Sequence, residues 1–327
     1  METVKQMNRF QFIDSIKGMA ILLVVVGHLI QGNFPSESFF LGGGKITLFN
    51  WIYMFHMGLF FACSGYLYKW INKNSSIKEL IGVLAKKAYR LLIPYLVWGS
   101  IMFLYDRCEW RAMDALHYII IKPHYGLWFL QSLLKYYIFI VLVNYLINKI
   151  PRFCNNAETV FFFIVLLVSI ICHCTNKLGF LFDWDWCMFL VGLIFRQNER
   201  IWKFVNNQTV ATIAVAGMIL PLFLNVLPKE VVSISALIAF VTIARTNSLP
   251  QSIQLQIEEL GKNSMPIYLL HFFFVIKICR LDIFTNQIFE FFFLLALAIP
   301  IAYCCIMIYR CISFGWIPML LWGEKNK

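Results

Sequence analysis

Residues 12–31 read FIDSIKGMAILLVVVGHLIQ. The run is apolar and has the roughly 20 residues that a bilayer-spanning helix needs, yet it holds Asp14, Lys17 and His28. An ionisable side chain inside such a helix costs roughly 2.5–3.5 kcal/mol on insertion scales, so those present face a bundle interior or a wet cavity and are functional candidates. At about 100° per residue, Lys17 and His28 come within about 20° of each other, and Asp14 and His28 within about 40°. The three share one stripe. At about 1.5 Å per residue, His28 lies roughly 16 Å further along the axis than Lys17.

The rest of the chain agrees with a membrane setting. Of its 327 residues 60% are hydrophobic and only 14% charged, and the mean hydropathy is +0.72. A soluble domain runs near 45–50% apolar and about 25% charged. The expected fold is an all-α integral membrane protein, a single domain over 1–327 with no separate soluble part. The net charge of +11 need not mean nucleic acid, because excess Lys and Arg in a membrane protein gathers in cytoplasmic loops. The ten Cys are scattered in apolar runs, without zinc-ligand spacing, and read as small buried hydrophobes. No metal is expected. No short apolar run with a small-residue cleavage site opens the chain, so the first segment is expected to stay as an anchor.

About ten segments are apolar enough to span or nearly span: near 13–31, 46–68, 89–105, 126–148, 159–175, 184–196, 209–226, 231–246, 264–280 and 288–310. Basic residues concentrate at the N-terminus (Lys5, Arg9, Lys17), after the second segment (Lys69 to Arg90), in later alternate loops, and at the C-terminus (Arg310, Lys325, Lys327). By the positive-inside rule both termini are expected in the cytoplasm. Lys17 then lies near the cytoplasmic surface and His28 in the outer half.

Further segments add candidates. The second, WIYMFHMGLFFACSGYLY, descends with His56 near mid-membrane and Ser64 near its cytoplasmic end. Its small residues Gly58, Ala62, Ser64 and Gly65 suit close helix packing. Lys86, Lys87 and Arg90 stand at the cytoplasmic start of the third, where they serve either anionic lipid headgroups or the phosphates of a nucleotide-like ligand. Pro94 is expected to kink that segment or to mark a re-entrant start. The longest outer stretch, Asp106 to His124, mixes charges with Trp110, and Trp128 opens the fourth helix at that level. Such aromatics stack on sugar rings or form an interfacial belt. A satisfied interfacial role suits His173, and segments five, seven and eight read as scaffold. Segment nine follows GKNSMPIYLLHFFF, with Tyr268 and His271 beyond a helix-start Pro266.

Five blocks in this order resemble the acyltransferase 3 family of membrane O-acyltransferases, in particular the branch related to fucose 4-O-acetylase. They are D-x-x-K-G-x-A-I-x-x-V-x-x-G-H at Asp14–His28, F-H-M-x-L-F-F-x-x-S-G-Y-L at Phe55–Leu67, R-L-L-I-P-Y at Arg90–Tyr95, L-W-F-L at Leu127–Leu130 and G-K-N-S-x-x-I-Y-L-L-H at Gly261–His271. The resemblance covers nearly the whole chain. It departs at Lys17 and Lys87, where the family commonly has Arg, and at Gly58, where it commonly has Pro. Lys keeps the charge but loses the bidentate fork of Arg toward phosphate.

The resemblance implies transfer of an acyl group, usually acetyl, from cytoplasmic acyl-CoA to a hydroxyl of an extracytoplasmic glycan or lipid-linked sugar, in a multi-pass protein of the bacterial cytoplasmic membrane. The expected donors and partners are acetyl-CoA, the saccharide and the lipid bilayer, with no nucleic acid. The catalytic stripe is His28 with Asp14 and Lys17. His28 is expected to deprotonate the acceptor hydroxyl or to take the acyl group itself, and Asp14, several turns away, joins the cationic cluster. Lys17, Lys86, Lys87 and Arg90, with Ser64, are assigned to the donor, and His56, Trp128, Tyr268 and His271 to the acceptor. Two rivals use the same residues: a glycan-precursor transporter or flippase, which intramembrane ionisable groups serve equally well, and a scaffold subunit. Neither depends on acyl-CoA.

Overall fold

The computed structural model describes residues 2–33, 47–68, 76–107, 127–148, 157–175, 183–197, 201, 204–205, 207–224, 227–246, 249–278 and 287–324. Helix is the only regular element they form, as α1 (Glu2–Asn33), α2 (Leu48–Tyr53), α3 (His56–Tyr66), α4 (Ile77–Arg107), α5 (Trp128–Asn148), α6 (Ala157–Cys174), α7 (Trp184–Gln197), α8 (Gln208–Ile219), α9 (Pro221–Leu224), α10 (Lys229–Arg245), α11 (Gln251–Lys262), α12 (Ser264–Ile278), α13 (Gln287–Ile312) and α14 (Ile317–Trp322). Among the described residues, three stretches are long and apolar enough to cross a membrane: Gln11–Asn33, Trp128–Ile147 and Phe289–Ile312. The chain is an integral membrane protein of helices. It forms two compact units, Met1–Tyr68 with Thr159–Ile306, and Lys69–Glu158 with Met307–Lys327.

In the first unit α1 is central and packs against α2, α3, α10, α11 and α12. Its aliphatic face, including Ile16, Ile21, Val25 and Leu29, is fully buried. Close approach depends on small residues. A Cβ at Gly65 of α3 would strike the Phe189 carbonyl of α7, and one at Gly192 of α7 would strike the Ala62 backbone of α3. Two backbones meet there with no side chain between them, which is how small residues serve helix pairs in membranes. Arg196, one of the basic residues of the later alternate loops that carry the topology signal, donates from Nη1 to the carbonyls of Tyr66 (3.2 Å) and Tyr68 (2.5 Å) at the end of α3. A cation there satisfies terminal carbonyls and suits the negative end of the helix dipole. His173 is paired with Glu230 Oε1 at 3.0 Å and lies against Trp184, a satisfied position.

In the second unit α4 packs against α5 and α14. Pro94 lies inside α4, which runs unbroken from Ile77 to Arg107. Proline removes the N–H that would bond the carbonyl four residues earlier, that of Arg90. Gly323, in the left-handed region at φ +64°, comes down on this same Arg90 backbone, where a Cβ would collide. The tail that includes α14 therefore packs back on α4. Trp98 Nε1 donates to Leu321 O (2.8 Å), Trp98 and Trp322 rings lie 5.6 Å apart, and the Tyr309 hydroxyl donates to the Glu324 carboxylate at 2.8 Å.

Candidate functional site

The second apolar segment, expected as one helix, is two. The ladder breaks between Tyr53 and His56, where Phe55 takes φ −139°, ψ −24°. No Gly or Pro marks the break. The break is met from outside: the buried hydroxyl of Ser233 on α10 lies 2.5 Å from the Met54 carbonyl and 2.8 Å from that of Lys229 one turn back on its own helix, and its one proton serves the two. Thr47 caps the short α2 by accepting from Asn50 N–H at 3.1 Å. Segment eight, read as scaffold, thus holds the joint that places Tyr53 and His56.

Three histidines from three segments are drawn together around that joint. The rings of His28 (α1) and His271 (α12) are 5.3 Å apart. Tyr53 connects His28 to His56: its ring lies 4.5 Å from that of His56 and edge-on to that of His28 at 5.8 Å. Its hydroxyl is 3.1 Å from His28 Nδ1 and 3.3 Å from Nε2. Gln31 Oε1, one turn on from His28, is 3.2 Å from Nδ1. An amide oxygen only accepts, so with this contact Nδ1 carries the proton, and the Tyr53 hydroxyl stands nearly midway between the two ring nitrogens. Phe272 covers the His28 ring at 4.5 Å. Gly27 leaves room for Tyr53, since a Cβ there would stand 3.2 Å from its Cε2.

His56 and His271 are fully buried, and both are tied at Nδ1 to backbone carbonyls, His271 within its own helix and His56 across the break to α2. His56 Nδ1 is 2.8 Å from Ile52 O. His271 Nδ1 is 2.8 Å from Tyr268 O and 3.1 Å from Ile267 O. Carbonyls only accept, so both rings carry the proton on Nδ1 and present Nε2 as an acceptor. His271 Nε2 is buried with no hydrogen-bond partner, and buried polar atoms of this kind are rare in native structures. Tyr268 contributes its carbonyl to this arrangement.

Asp14 and Lys17 form an ion pair at 2.7 Å, each about one-fifth exposed. They lie three to four turns along α1 from His28, at the contact with α11. Gly18 sits on the Ile257 carbonyl and Gly261 on that of Asp14, and neither position has room for a Cβ. The glycines of the K-G and G-K motifs thus lock α1 to α11.

Ser64 stands eight residues beyond His56 on α3, toward the far end of that helix. Lys86, Lys87, Arg90 and Trp128 belong to the second unit. Lys86 and Arg90 are exposed, and Lys87 Nζ lies 3.8 Å from the centroid of the Tyr137 ring, a cation–π contact. The stretch 108–126, expected from sequence on the outer side, lies outside the described residues. Among the described residues no group of three or more His, Cys, Asp or Glu is placed to hold a metal ion. Gln31, Tyr53, Phe272 and Ser233 were not singled out from the sequence. Gln31 had a signal there, because three residues after His28 puts it on the same helix face.

These features define a helical integral membrane protein with a half-buried imidazole held by polar partners at the edge of an apolar core. The chain belongs to the Acyltransferase domain family (Acyl_transf_3), whose model matches residues 10–307 and so runs through both units. The chain is 39% identical over 97 residues to Nodulation protein NolL of Sinorhizobium fredii, a stretch that is 29% of this chain and 25% of that protein. It is 37% identical over 98 residues to Nodulation protein NolL of Mesorhizobium japonicum, 29% of this chain and 24% of that one. The chain thus spans about a quarter of the length of these curated relatives. No solved structure matches it.

Proposed function

We propose that the protein is a membrane O-acetyltransferase that moves an acetyl group from acetyl-CoA to a hydroxyl of an extracytoplasmic glycan or lipid-linked saccharide. The family match supports acyl transfer. The observation that carries the site is the His28 imidazole, with Nδ1 toward Gln31 Oε1 and the Tyr53 hydroxyl near both ring nitrogens, in a cluster with His56 and His271. A sugar hydroxyl needs a base in the transition state, and a positioned imidazole supplies about 10²–10⁴-fold. In this reading His28 Nε2 takes the hydroxyl proton, the oxygen bonds to the thioester carbon, the C–S bond breaks, and the proton passes to the leaving thiolate.

The remaining assignments belong to the same proposal. His56, His271 and Tyr268 position the acceptor, with Trp128 as a stacking platform. Lys17, paired with Asp14, and Lys86, Lys87, Arg90 and Ser64 serve the donor. The chain acts as one domain of about ten spans with both termini cytoplasmic, in a bacterial cytoplasmic membrane, and its nearest functional branch is that of fucose 4-O-acetylase.

The test is label transfer. Membranes containing the protein, with and without His28→Ala, receive acetyl-CoA labelled in the acetyl group, and label is followed into alkali-labile glycan. Label is expected with intact His28 and is expected to fall by about 10²–10⁴-fold without it. Near-normal transfer by the variant overturns the base assignment. An absence of transfer from acetyl and longer acyl donors overturns the transferase reading.

A further inference from the structure

We propose that Gly323 is a positioning residue for the acyl donor: its backbone seats on the turn of α4 that Pro94 opens and so fixes the direction in which Lys86, Lys87 and Arg90 are presented. This rests on the donor assignment made above. All the parts lie in the second unit. Pro94 stands inside α4, so the Arg90 carbonyl lacks the helical N–H it would otherwise accept, and a proline at such a place lets a helix bend. The two sides of this turn are packed very differently. Beyond it Tyr95, Trp98, Met102 and Phe103 are buried. Before it, from Ile77 to Ile93, only Leu80 is buried. The half of α4 that carries the three cations is therefore lightly held, and its direction depends on what lies against residues 90–94.

What lies there is the segment that follows α13, and it is first closed on itself. Trp322 Nε1 donates to Ser313 Oγ at 3.1 Å, and the Tyr309 hydroxyl meets the two Glu324 carboxylate oxygens at 2.8 and 3.0 Å. α14 ends at Gly323 in the left-handed region, where the N–H groups of Gly323 and Glu324 both turn to the Pro318 carbonyl. Trp98 then ties this closed segment to α4, through Nε1 to Leu321 O and ring to ring with Trp322. The result sets Gly323 on Arg90. A Cβ at 323 would stand 2.7 Å from Arg90 Cα and 2.8 Å from its carbonyl carbon, and would overlap the carbonyl oxygen. The hydrogen that glycine carries in that place faces the oxygen left open by Pro94, a weak Cα–H donor to a carbonyl.

The position thus needs glycine twice, for its positive φ and for an approach in which every atom met is backbone. The Arg90 side chain takes no part in the contact and is exposed, as is that of Lys86 one turn earlier. Phosphate oxygens are bound by several donors at once in a fixed geometry, and an Arg fork is the part most sensitive to direction. With Lys at 87, Arg90 is the one fork in this group. Gly323 touches no donor atom; it acts through the backbone of Arg90.

The experiment uses the full chain in membranes with labelled acetyl-CoA. It compares wild type, Gly323→Ala, Gly323→Asn, the Lys87→Gln, Arg90→Gln pair, and that pair combined with Gly323→Ala. Asn tolerates the left-handed region but carries a Cβ, so it separates the contact from backbone strain. Losing a hydrogen bond to a charged group outright is worth about 10- to 100-fold, and displacing one costs a part of that. Both glycine variants are expected to raise the donor KM by about 3- to 10-fold, with the maximal rate and the acceptor KM within about twofold of wild type. In the Lys87, Arg90 background Gly323→Ala is expected to add nothing, because it acts through Arg90. Trp98→Phe keeps the ring and removes only the N–H to Leu321 O; it should raise the donor KM by about twofold or more, and it carries the test if the glycine variants fail to accumulate. A donor KM unchanged in the glycine variants, or in Trp98→Phe when these are lost, overturns the role of Gly323 while the transferase reading stands. So does a loss confined to the maximal rate, a loss that adds in full to that of the pair, or wild-type behaviour of Gly323→Asn. A pair variant with unchanged donor KM overturns the donor assignment and this inference with it, and a silent wild type overturns the transferase reading as well.

Discussion

Replacing Gly261 by Ala tests the lock between α1 and α11. The added Cβ would overlap the carbonyl oxygen of Asp14, and it would stand 2.9 Å from the backbone nitrogen of Gly18. Every atom it meets is backbone, so no side chain can turn aside. Ordinary contact begins near 3.4 Å, so the helices must part by roughly 1–2 Å, and overpacking of this kind costs about 1–3 kcal/mol or more. At about 2–4 °C per kcal/mol for a body of this size, the thermal midpoint should fall by roughly 2–12 °C. Because the overlap falls on the backbone of Asp14, whose carboxylate pairs with Lys17, transfer activity should fall as well. The assay is thermal unfolding in one detergent, read by size-exclusion of the surviving monodisperse fraction. Gly82→Ala is the control: nothing lies within 4 Å of its added Cβ, and a mid-helix glycine is worth about 0.5–1 kcal/mol less than alanine. Its midpoint should hold or rise. A Gly261→Ala midpoint at or above that of wild type would refute the packing argument.

Two further outcomes follow from particular contacts. Arg196→Gln removes the charged donor from the carbonyls of Tyr66 and Tyr68; a loss of about 1–2 kcal/mol is expected for this half-buried group, and an unshifted midpoint would return Arg196 to topology alone. Replacing Lys87 and Arg90 together by Gln should raise the donor KM about tenfold or more while leaving the acceptor KM in place, and an unchanged donor KM would remove them from the donor site.

Much of the site could be read from helical arithmetic. An ionisable residue stands out against Val and Leu, and His28, Asp14 and Lys17 share a stripe because α1 is one unbroken helix. His56 and His271 were visible as the same kind of anomaly. The break at Tyr53–His56 was not visible, because the group that meets its open carbonyl is Ser233, 179 residues away from Met54, and local propensity says nothing about such a partner. Tyr53 was hidden for the same reason: inside a continuous span it is one aromatic among many. α11 was missed because QSIQLQIEELGK is too polar to count as a span, although it buries Glu258, Leu260 and Gly261. Pro94 was visible as a proline inside an apolar segment, and the helix runs on through it from Ile77 to Arg107.

The ties of His56 and His271 to backbone carbonyls reach beyond the site. In each ring the choice of which nitrogen bears hydrogen is made by a carbonyl three or four residues earlier, so the tautomer is written by the path of the main chain. A shift of the joint at 52–56, or unwinding of the turn at 267–271, would release that carbonyl and let the ring reverse its polarity. Loosening at either place would then register as a change in nitrogen-15 chemical shift at the imidazoles before any loss of helical content could be measured.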